Sequence, residues 1–462
     1  MNPLPRPHIL PPPISSTTPG APETVPRPPY IPPPLANPNP PRRPGSIAHP
    51  ALPSVDNRGF HERIFGPIMQ IHPGAMADLA IDIARKVLNM SVSHATVTEK
   101  MQGTYHMMHV VQLDNGSRFV LRIPAVGWGQ GLSYAAGEAL KSEIATMRLI
   151  RERTTTPLPD IYAWDHTCNN IIRAPYIFMS YIPGRPVCKV WYESEDNYQL
   201  RLTILDNVAK IMASYANLPT FPKIGSLQED ASGELVVGPV CDWTESRDQS
   251  LQIKATGPFS SSKLYLDYQH RYRHTQTVHL RAAEKLLPVI KSFSPLMDST
   301  NNFVICPPNF DSHSVFVDDA GNVTGFLDWS HAKTMPRHAG WARYPDWLTC
   351  DWDPRMSDWP QKKHQTESST QMAKYRVHYN DVLGKAMQFG GDWHVNGKSH
   401  LAMAVWNAST YPTSRQEIVC KFIEAAYGQG TNGISVLWEI GEGWFDNGDM
   451  SSLSKKLKRV IA

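Results

Sequence analysis

The sequence lacks a long hydrophobic run, although 41% of its 462 residues are hydrophobic. No stretch of about eighteen apolar residues occurs, so the sequence predicts no membrane-spanning helix and no membrane partner. The N-terminal region also lacks the apolar core, flanked by basic residues, that characterises a secretory signal peptide. These two absences lead us to expect a cytoplasmic protein.

Cysteine is scarce and widely spaced, at Cys168, Cys188, Cys241, Cys306, Cys350 and Cys420. No two of these cysteines are two to four residues apart, so the spacings of zinc sites and of redox-active pairs are absent. We expect all six to be reduced thiols, because no secretory signal directs the chain to an oxidising compartment.

An excess of charge of one sign is also lacking. The chain carries 45 Lys and Arg against 42 Asp and Glu, which gives a formal net charge of +3 at pH 7. No segment gathers the basic residues into the kind of patch that nucleic-acid binding requires. We therefore expect no nucleic-acid partner.

Proline, by contrast, is abundant, and twenty of the 41 prolines lie between Pro3 and Pro53. Because proline fixes φ and has no amide donor, residues 1–55 are predicted to be a polyproline II or disordered tail. One interpretation is a ligand for a proline-binding module. The other, which the composition favours, is a tail that binds nothing.

From residue 56 the composition becomes that of a folded protein. Helical periodicity over residues 137–151 and alternating strands over 108–113, 118–123 and 177–182 predict a small sheet with one helix across it. After residue 186 the pattern is helical, including one long segment over 264–293. A single hairpin, 313–318 paired with 323–328, interrupts the helical pattern. The sequence thus predicts two lobes around a cleft.

The tract over residues 305–354 resembles the fungal branch of the aminoglycoside phosphotransferase and choline kinase-like family. The resemblance is carried by the short segments 325–329 (GFLDW), 335–337 (MPR) and 344–347 (YPDW), and it extends over most of residues 60–445. It implies an α+β, bilobal, protein-kinase-like fold. The small β-rich lobe would cover residues 56–182 and the larger helical lobe residues 183–462.

The resemblance also implies a nucleotide site. Arg122 matches the basic strand residue that pairs with phosphates, and Glu143 matches the helix residue that orients it. Gly103 lies in the turn that covers the phosphates, and Tyr181 lies in the hinge against which an adenine would rest. Asp328 matches the aspartate that holds magnesium.

Two positions of the catalytic loop depart from the family pattern. Asn309 stands where the family has an aspartate that orients the acceptor hydroxyl, and an amide is not a base at neutral pH. Ser314 stands where the family has a metal-binding asparagine, so Asp328 and, weakly, Ser314 are the remaining metal ligands. Loss of a general base typically costs about 10²–10⁴ in rate. ATP and Mg²⁺ are therefore expected only if the nucleotide site is retained, and no other cofactor is indicated.

Two further polar residues of this loop are candidate catalytic groups. Asp311, His313 and Asp328 are suited to acid–base chemistry near neutral pH, and Asn309 is the fourth residue of the predicted catalytic set. The alternative is that Asp311 bonds the backbone of its own loop and that His313 is a solvated strand residue. Nearby, Trp329 and Trp347 are interpreted as core residues in preference to the wall of a substrate pocket.

Three functions remain open. The leading hypothesis is acid–base chemistry, such as cyclisation, isomerisation or elimination, on a small metabolite bound in the cleft between the lobes. The second is a pseudokinase that binds a nucleotide or a metabolite. The third is a weakly active ATP-dependent small-molecule kinase, which the altered loop disfavours.

Overall fold

The computed structural model describes residues 64–125, 132–193, 197–245, 251–269, 277–297, 302–353, 367–428 and 430–462. All of them belong to one compact unit, Ala48–Ala462. The predicted proline-rich tail, residues 1–55, lies outside the described residues.

The small lobe is built on a five-stranded antiparallel sheet. Its strands lie in the order β1-β2-β3-β5-β4, formed by Ala95–Gln102, His106–Leu113, Arg118–Pro124, Tyr176–Ser180 and Ile161–Asp165. Gly116, with φ +85°, makes the tight turn between β2 and β3. The register pairs Met108 with Arg122 and Arg122 with Ile177, so these three side chains share one face of the sheet.

Helices cover both faces of this sheet. α1, Pro73–Lys86, packs its apolar side on the face that carries Met107, Leu121 and Phe178. α2, Tyr134–Arg153, packs Leu140 and Ile144 on the opposite face, the face of Arg122. The Ser133 side chain caps the start of α2 by accepting a hydrogen bond from Ala136 N–H.

The large lobe is mainly helical. In the described residues its helices are α3 Val187–Trp191, α4 Tyr198–Ala213, α5 Ser262–Gln269, α6 Val278–Phe293, α7 Ser369–Ala386, α8 Trp393–Asn396, α9 Ser399–Thr410, α10 Pro412–Tyr427, α11 Gly433–Glu442 and α12 Asn447–Ile461. Two large apolar clusters form its core, one around α4 and α7 and the other around α6, α9 and α10. Trp329 and Trp347 are each 1% exposed and belong to the first cluster, in agreement with their interpretation as core residues.

The large lobe contains more short strands than the sequence predicted. β6 Arg185–Pro186, β12 Val315–Val317 and β13 Val323–Phe326 form one small sheet, and β11 Phe303–Ile305 pairs with β14 Thr334–Pro336. β12 and β13 form the predicted hairpin.

Two further hairpins lie between α4 and α5. They are β7 Leu227–Glu229 with β8 Leu235–Val237, and β9 Val240–Glu245 with β10 Leu251–Thr256. The prediction of a single β interruption was therefore wrong. It failed because these strands, three to six residues long, are too short for alternation to stand out against flanking helical patterns.

The predicted long helical segment over 264–293 is also divided, into α5 and α6. The fold class predicted from the sequence is nevertheless confirmed, with a β-rich first part and a helical second part. Among the described helices, none combines the length and the apolar character needed to cross a membrane.

Candidate active site

A buried ion pair lies at the centre of the candidate site. Arg122 of β3 and Glu143 of α2 are on the facing surfaces of the sheet and the helix, with an Nη1 to Oε1 distance of 2.5 Å. Their side chains are 7% and 6% exposed. Burial raises the pKa of Glu143, and the adjacent Arg122 opposes this shift. The structure thus brings together the two residues predicted to form the small-lobe part of the site.

Asp328 joins this pair from the large lobe. It follows β13 with a left-handed backbone, φ +59°. Its Oδ1 accepts hydrogen bonds from Arg122 Nη2 at 3.2 Å and from Ser330 Oγ at 2.6 Å, while its Oδ2 accepts one from Asn309 Nδ2 at 2.5 Å. Both carboxylate oxygens are therefore occupied by donors of the protein itself.

Asp311 of the catalytic loop is hydrogen-bonded to the backbone of that loop. Asp311, 9% exposed, accepts hydrogen bonds on Oδ1 from the backbone amides of His313 at 2.8 Å and Ser314 at 3.0 Å. The nearest ring nitrogen of His313 lies 3.9 Å from the same oxygen. These contacts tie Asp311 to its own loop, as the alternative interpretation of this residue expected.

The two remaining predicted site residues lie at the edges of the small lobe. Gly103 lies in the turn between β1 and β2, where its amide donates to the carbonyl of His106 at 2.9 Å. Tyr181 follows β5, and the guanidinium carbon of Arg118 lies 3.9 Å from the centre of its ring. Gly103 is thus hydrogen-bonded to His106, whose ring lies beside Arg122. Tyr181, by contrast, stacks on a different arginine, Arg118.

The described residues offer few ligands to a magnesium ion. Mg²⁺ in phosphate-binding sites usually takes one or two carboxylates that are open to it. Here Asp328 is the one carboxylate of the predicted metal pair, and its oxygens already accept from Arg122, Ser330 and Asn309. Within the described ranges, no group of three or more His, Cys, Asp or Glu side chains is arranged to hold a metal ion.

Two histidines and a tryptophan complete the site, and the sequence analysis missed all three. His106 of β2 lies 3.3 Å from Arg122 Nη2 through its Nδ1. His331 lies three residues after Asp328 and has φ +62°. Trp243 of β9 lies against both imidazoles, with ring centroids 6.3 Å from His106 and 5.1 Å from His331. The spacing to Asp328 could have drawn attention to His331, but nothing local in the sequence signals Trp243.

Both imidazoles are held in the neutral form. Burial, followed by the charge of Arg122, lowers the pKa of His106 well below its usual value. Burial also lowers the pKa of His331. The hydrogen-bond partners fix the tautomers, because Arg122 only donates and the carbonyl of Cys241, bonded to His331 Nδ1, only accepts. His106 Nδ1 is therefore an acceptor and His331 Nδ1 a donor.

Several known phosphotransferases are similar to this chain in sequence or in structure. The sequence model of the phosphotransferase enzyme family (APH) matches residues 107–358, more than half of the 462 residues. Among solved structures, the aminoglycoside phosphotransferase APH(4)-Ia is 12% identical, covering 83% of this chain and 98% of that chain with a TM-score of 0.39. The apoenzyme of macrolide 2'-phosphotransferase MphH from Brachybacterium faecium is 13% identical, with coverages of 82% and 98% and a TM-score of 0.37.

The curated relatives are fungal proteins named "Altered inheritance of mitochondria protein 9, mitochondrial". The protein of Yarrowia lipolytica is 30% identical over 139 residues, which is 29% of this chain and 23% of the relative. The protein of Candida albicans (strain SC5314) is 29% identical over 140 residues, with coverages of 29% and 22%. The chain thus matches less than a quarter of the length of these relatives.

The names of these relatives contradict the predicted cytoplasmic location, because they give a mitochondrial one. The prediction rested on the absence of an apolar signal, and that absence argues only against secretion. Mitochondrial targeting segments are amphipathic and arginine-rich and have no apolar core, so the same test does not detect them.

Proposed function

The chain belongs to the phosphotransferase enzyme family, and on this premise we propose that the cleft between its lobes binds a small metabolite without transferring phosphate. The observation that carries the proposal is that both oxygens of Asp328 already accept hydrogen bonds within the protein, from Arg122, Ser330 and Asn309. In a phosphotransferase of this kind that carboxylate would hold magnesium against the phosphates.

The charges around Asp328 support the same proposal. Arg122, the cation expected to pair with phosphates, is already bonded to Glu143 and Asp328. Asn309 cannot accept the proton of an acceptor hydroxyl, because its amide is not a base at neutral pH. The cation Arg122 is therefore shared by two carboxylates, and this suits an uncharged or weakly charged ligand better than a triphosphate.

A second candidate function is acid–base catalysis on the bound metabolite, such as cyclisation, isomerisation or elimination. The observation that favours it is the pair of neutral imidazoles, His106 and His331, which line one concavity together with Glu143. A neutral imidazole has one ring nitrogen that can accept a proton and one N–H that can donate one. The second candidate thus assigns the acid–base roles to His106 and His331, and not to Asp311 and His313, the residues predicted from the sequence.

The proposed function is tested by thermal unfolding with ATP, with and without Mg²⁺. The natural protein is compared with an Asn309→Asp, Ser314→Asn variant and with a matched surface control, Asn169→Asp, Ser451→Asn, whose sites are exposed. A ligand at a hundredfold its Kd adds about 2.7 kcal/mol of stability. We expect magnesium-dependent stabilisation by ATP only in the Asn309→Asp, Ser314→Asn variant.

Two results would count against the proposal. Magnesium-dependent stabilisation of the natural protein would show a working nucleotide site. Transfer of phosphate from ATP to any member of a broad panel of hydroxyl and amine acceptors would establish the weak kinase instead.

The second candidate is tested by incubating the protein with a fungal metabolite extract and following its composition by mass spectrometry. We expect a compound that the natural protein consumes and a His331→Gln variant does not. Unchanged extracts with both proteins would leave binding as the function. Variants at Asp311 and His313 decide between these residues and the imidazole pair as the acid–base groups.

We also propose a mitochondrial location for this chain, on the strength of the names of its fungal relatives. Fractionation of cells that express the full chain with a C-terminal tag tests this. Recovery of the tag with the cytosolic markers would overturn it.

The tail over residues 1–55 is proposed to be dispensable for the cleft. The measurement is a pull-down of partners with the full chain and with a chain lacking these residues. Identical partner sets agree with a tail that binds nothing. A partner lost with the tail would favour the alternative, a ligand for a proline-binding module.

A further inference from the structure

The hairpin formed by β9 and β10 is attached to both lobes. Its Cys241 and Ile253 pack against Ala136 and Ala139 of α2, the helix that carries Glu143. On the other side, Lys333 donates a hydrogen bond to Asp242 at 2.9 Å. His331 Nδ1 donates to the carbonyl of Cys241. The hairpin thus connects the helix of the small lobe with the loop that follows Asp328.

Trp243 extends from this hairpin across the entrance to the site of Arg122 and Glu143. Its indole stacks on Tyr105, with ring centroids 4.7 Å apart and planes 11° apart. Tyr105 lies in the turn between β1 and β2, two residues after Gly103. On its other sides the indole contacts the rings of His106 and His331. One side chain therefore bridges the turn of the small lobe and the loop of the large lobe.

Little space remains behind Trp243. The cavity lined by His106, Glu143, Trp243, Ser330 and His331 has a volume of about 20 Å³, which is room for one water molecule. His331 Nε2 and Trp243 Nε1 are shielded from solvent and have no hydrogen-bond partner among the residues that the structure describes. Arg122 bonds to His106 and its side chain is 7% exposed, against 39% for Asp328, so a larger molecule would have to move the indole to reach Arg122 from this cavity.

We propose that Val240–Glu245 and Leu251–Thr256 form a strap over the cleft and that Trp243 is its gate residue. Molecules larger than water reach Arg122 and His331 Nε2 only when the indole leaves Tyr105. The strap is a conformational device that controls access, and it does not depend on which ligand the cleft binds. The proposal therefore stands or falls separately from the proposed function.

The test measures access to His331 and His106 with diethyl pyrocarbonate, which acylates unprotonated imidazoles. Because both rings are neutral at pH 7, their rate of modification reports how often the strap opens. The rate at each histidine is followed by peptide mass spectrometry on the full chain. The exposed His94 serves as the internal reference.

In the natural protein we expect His331 to react about tenfold or more slowly than His94. Trp243→Ala should accelerate modification of His331 and His106 by about tenfold and leave His94 unchanged. The matched control is Trp438→Ala, which removes a tryptophan that packs on Trp444 in the C-terminal helices. It should leave all three rates unchanged.

A second variant distinguishes opening of the strap from unfolding of the strap. Tyr105→Ala removes the stacking partner on the small lobe and leaves every strap residue in place, so it should also accelerate the reaction at His331. Hydrogen exchange at the amides paired between β9 and β10 checks that the strap stays folded in both variants. Equal rates at His331 and His94 in the natural protein would overturn the proposal. So would unchanged rates at His331 in both variants.

Discussion

At the scale of single residues, the Arg122–Glu143 ion pair has the largest energetic consequence. Removing one partner of a buried pair typically costs about 3–5 kcal/mol, because the other charge stays buried and uncompensated. We expect Arg122→Met to lower the free energy of unfolding by about that amount. A double variant, Arg122→Met with Glu143→Met, should recover part of it. Urea unfolding at pH 7 measures both.

The control for this prediction is an exposed pair on α1. Lys86 and Asp82 are 72% and 58% exposed, so Lys86→Met should cost less than about 1 kcal/mol. A loss for Arg122→Met as small as that of the control would contradict the structural importance of the buried pair.

Asp311 offers a second test at the residue scale, which separates a loop cap from a catalytic base. Asp311→Ala leaves two loop amides without an acceptor, and an unsatisfied buried group costs about 1–3 kcal/mol. Asp311→Asn keeps an oxygen that can accept, so it should lose clearly less stability. Urea unfolding of the two variants gives the comparison.

A suitable control for Asp311 is Asp318→Ala. Asp318 caps the turn between β12 and β13 by accepting from the amides of Ala320 and Asn322, and water can replace it at this exposed position. Equal losses of stability for Asp311→Ala and Asp311→Asn would weaken the capping role.

The sequence predicted part of this site well. The contact between Arg122 and Glu143 was implied by the family resemblance, which places one residue on a strand and the other on the helix across it. The roles of Ser330, His106 and Trp243 did not follow. Their contacts depend on three chain segments that meet only in the folded molecule, and no local pattern encodes such a meeting.

At the scale of structural elements, the segment after β5 depends on one glycine. Gly184 has φ +108°, and a Cβ there would lie 2.6 Å from the carbonyl oxygen of Val317. Gly184→Ala should therefore add a clash of about 1–3 kcal/mol to the cost of the left-handed backbone. Gly116→Ala isolates the backbone cost, because no atom lies within 4 Å of its Cβ position.

Urea unfolding of the two glycine variants gives the steric contribution by difference. A cost for Gly184→Ala equal to that for Gly116→Ala would show that β12 yields to the added methyl group. The strand β6, which follows Gly184 directly and pairs with β12, would then be less constrained than its register indicates.

The elements themselves were predicted unevenly. α2 and the strands β2 and β3 emerged from periodicity because each is long enough to show its repeat. The strap was missed, because β9 and β10 are six residues each and their partner helix lies a hundred residues earlier in the chain. The strap is held in place by contacts between distant parts of the chain, and such contacts leave no local pattern in the sequence.

At the scale of the whole molecule, buried histidines make the fold sensitive to acid. Burial lowers the pKa of His109 to about 4 and that of His400 to about 3. The unfolded chain binds protons at these histidines below about pH 6.5, whereas the folded protein does not until these lower values. Stability should therefore fall as the pH drops below 6.5, by about 2 kcal/mol for each histidine at pH 5.

Urea unfolding between pH 7.5 and 5.0 checks this expectation. His109→Gln and His400→Gln should each make the pH dependence shallower, while His94→Gln, at an exposed site, should not. An unchanged slope in the two buried-site variants would mean that other groups govern the acid sensitivity.

The left-handed backbone of Asp328 has a consequence for how the history of this site is interpreted. Few side chains tolerate φ +59°, and after glycine the short polar ones, asparagine and aspartate, do so best. The backbone conformation alone is therefore a sufficient reason for an aspartate at this corner of the chain. The presence of Asp328 beside Asn309 and Ser314 is thus no argument, by itself, for a particular reaction.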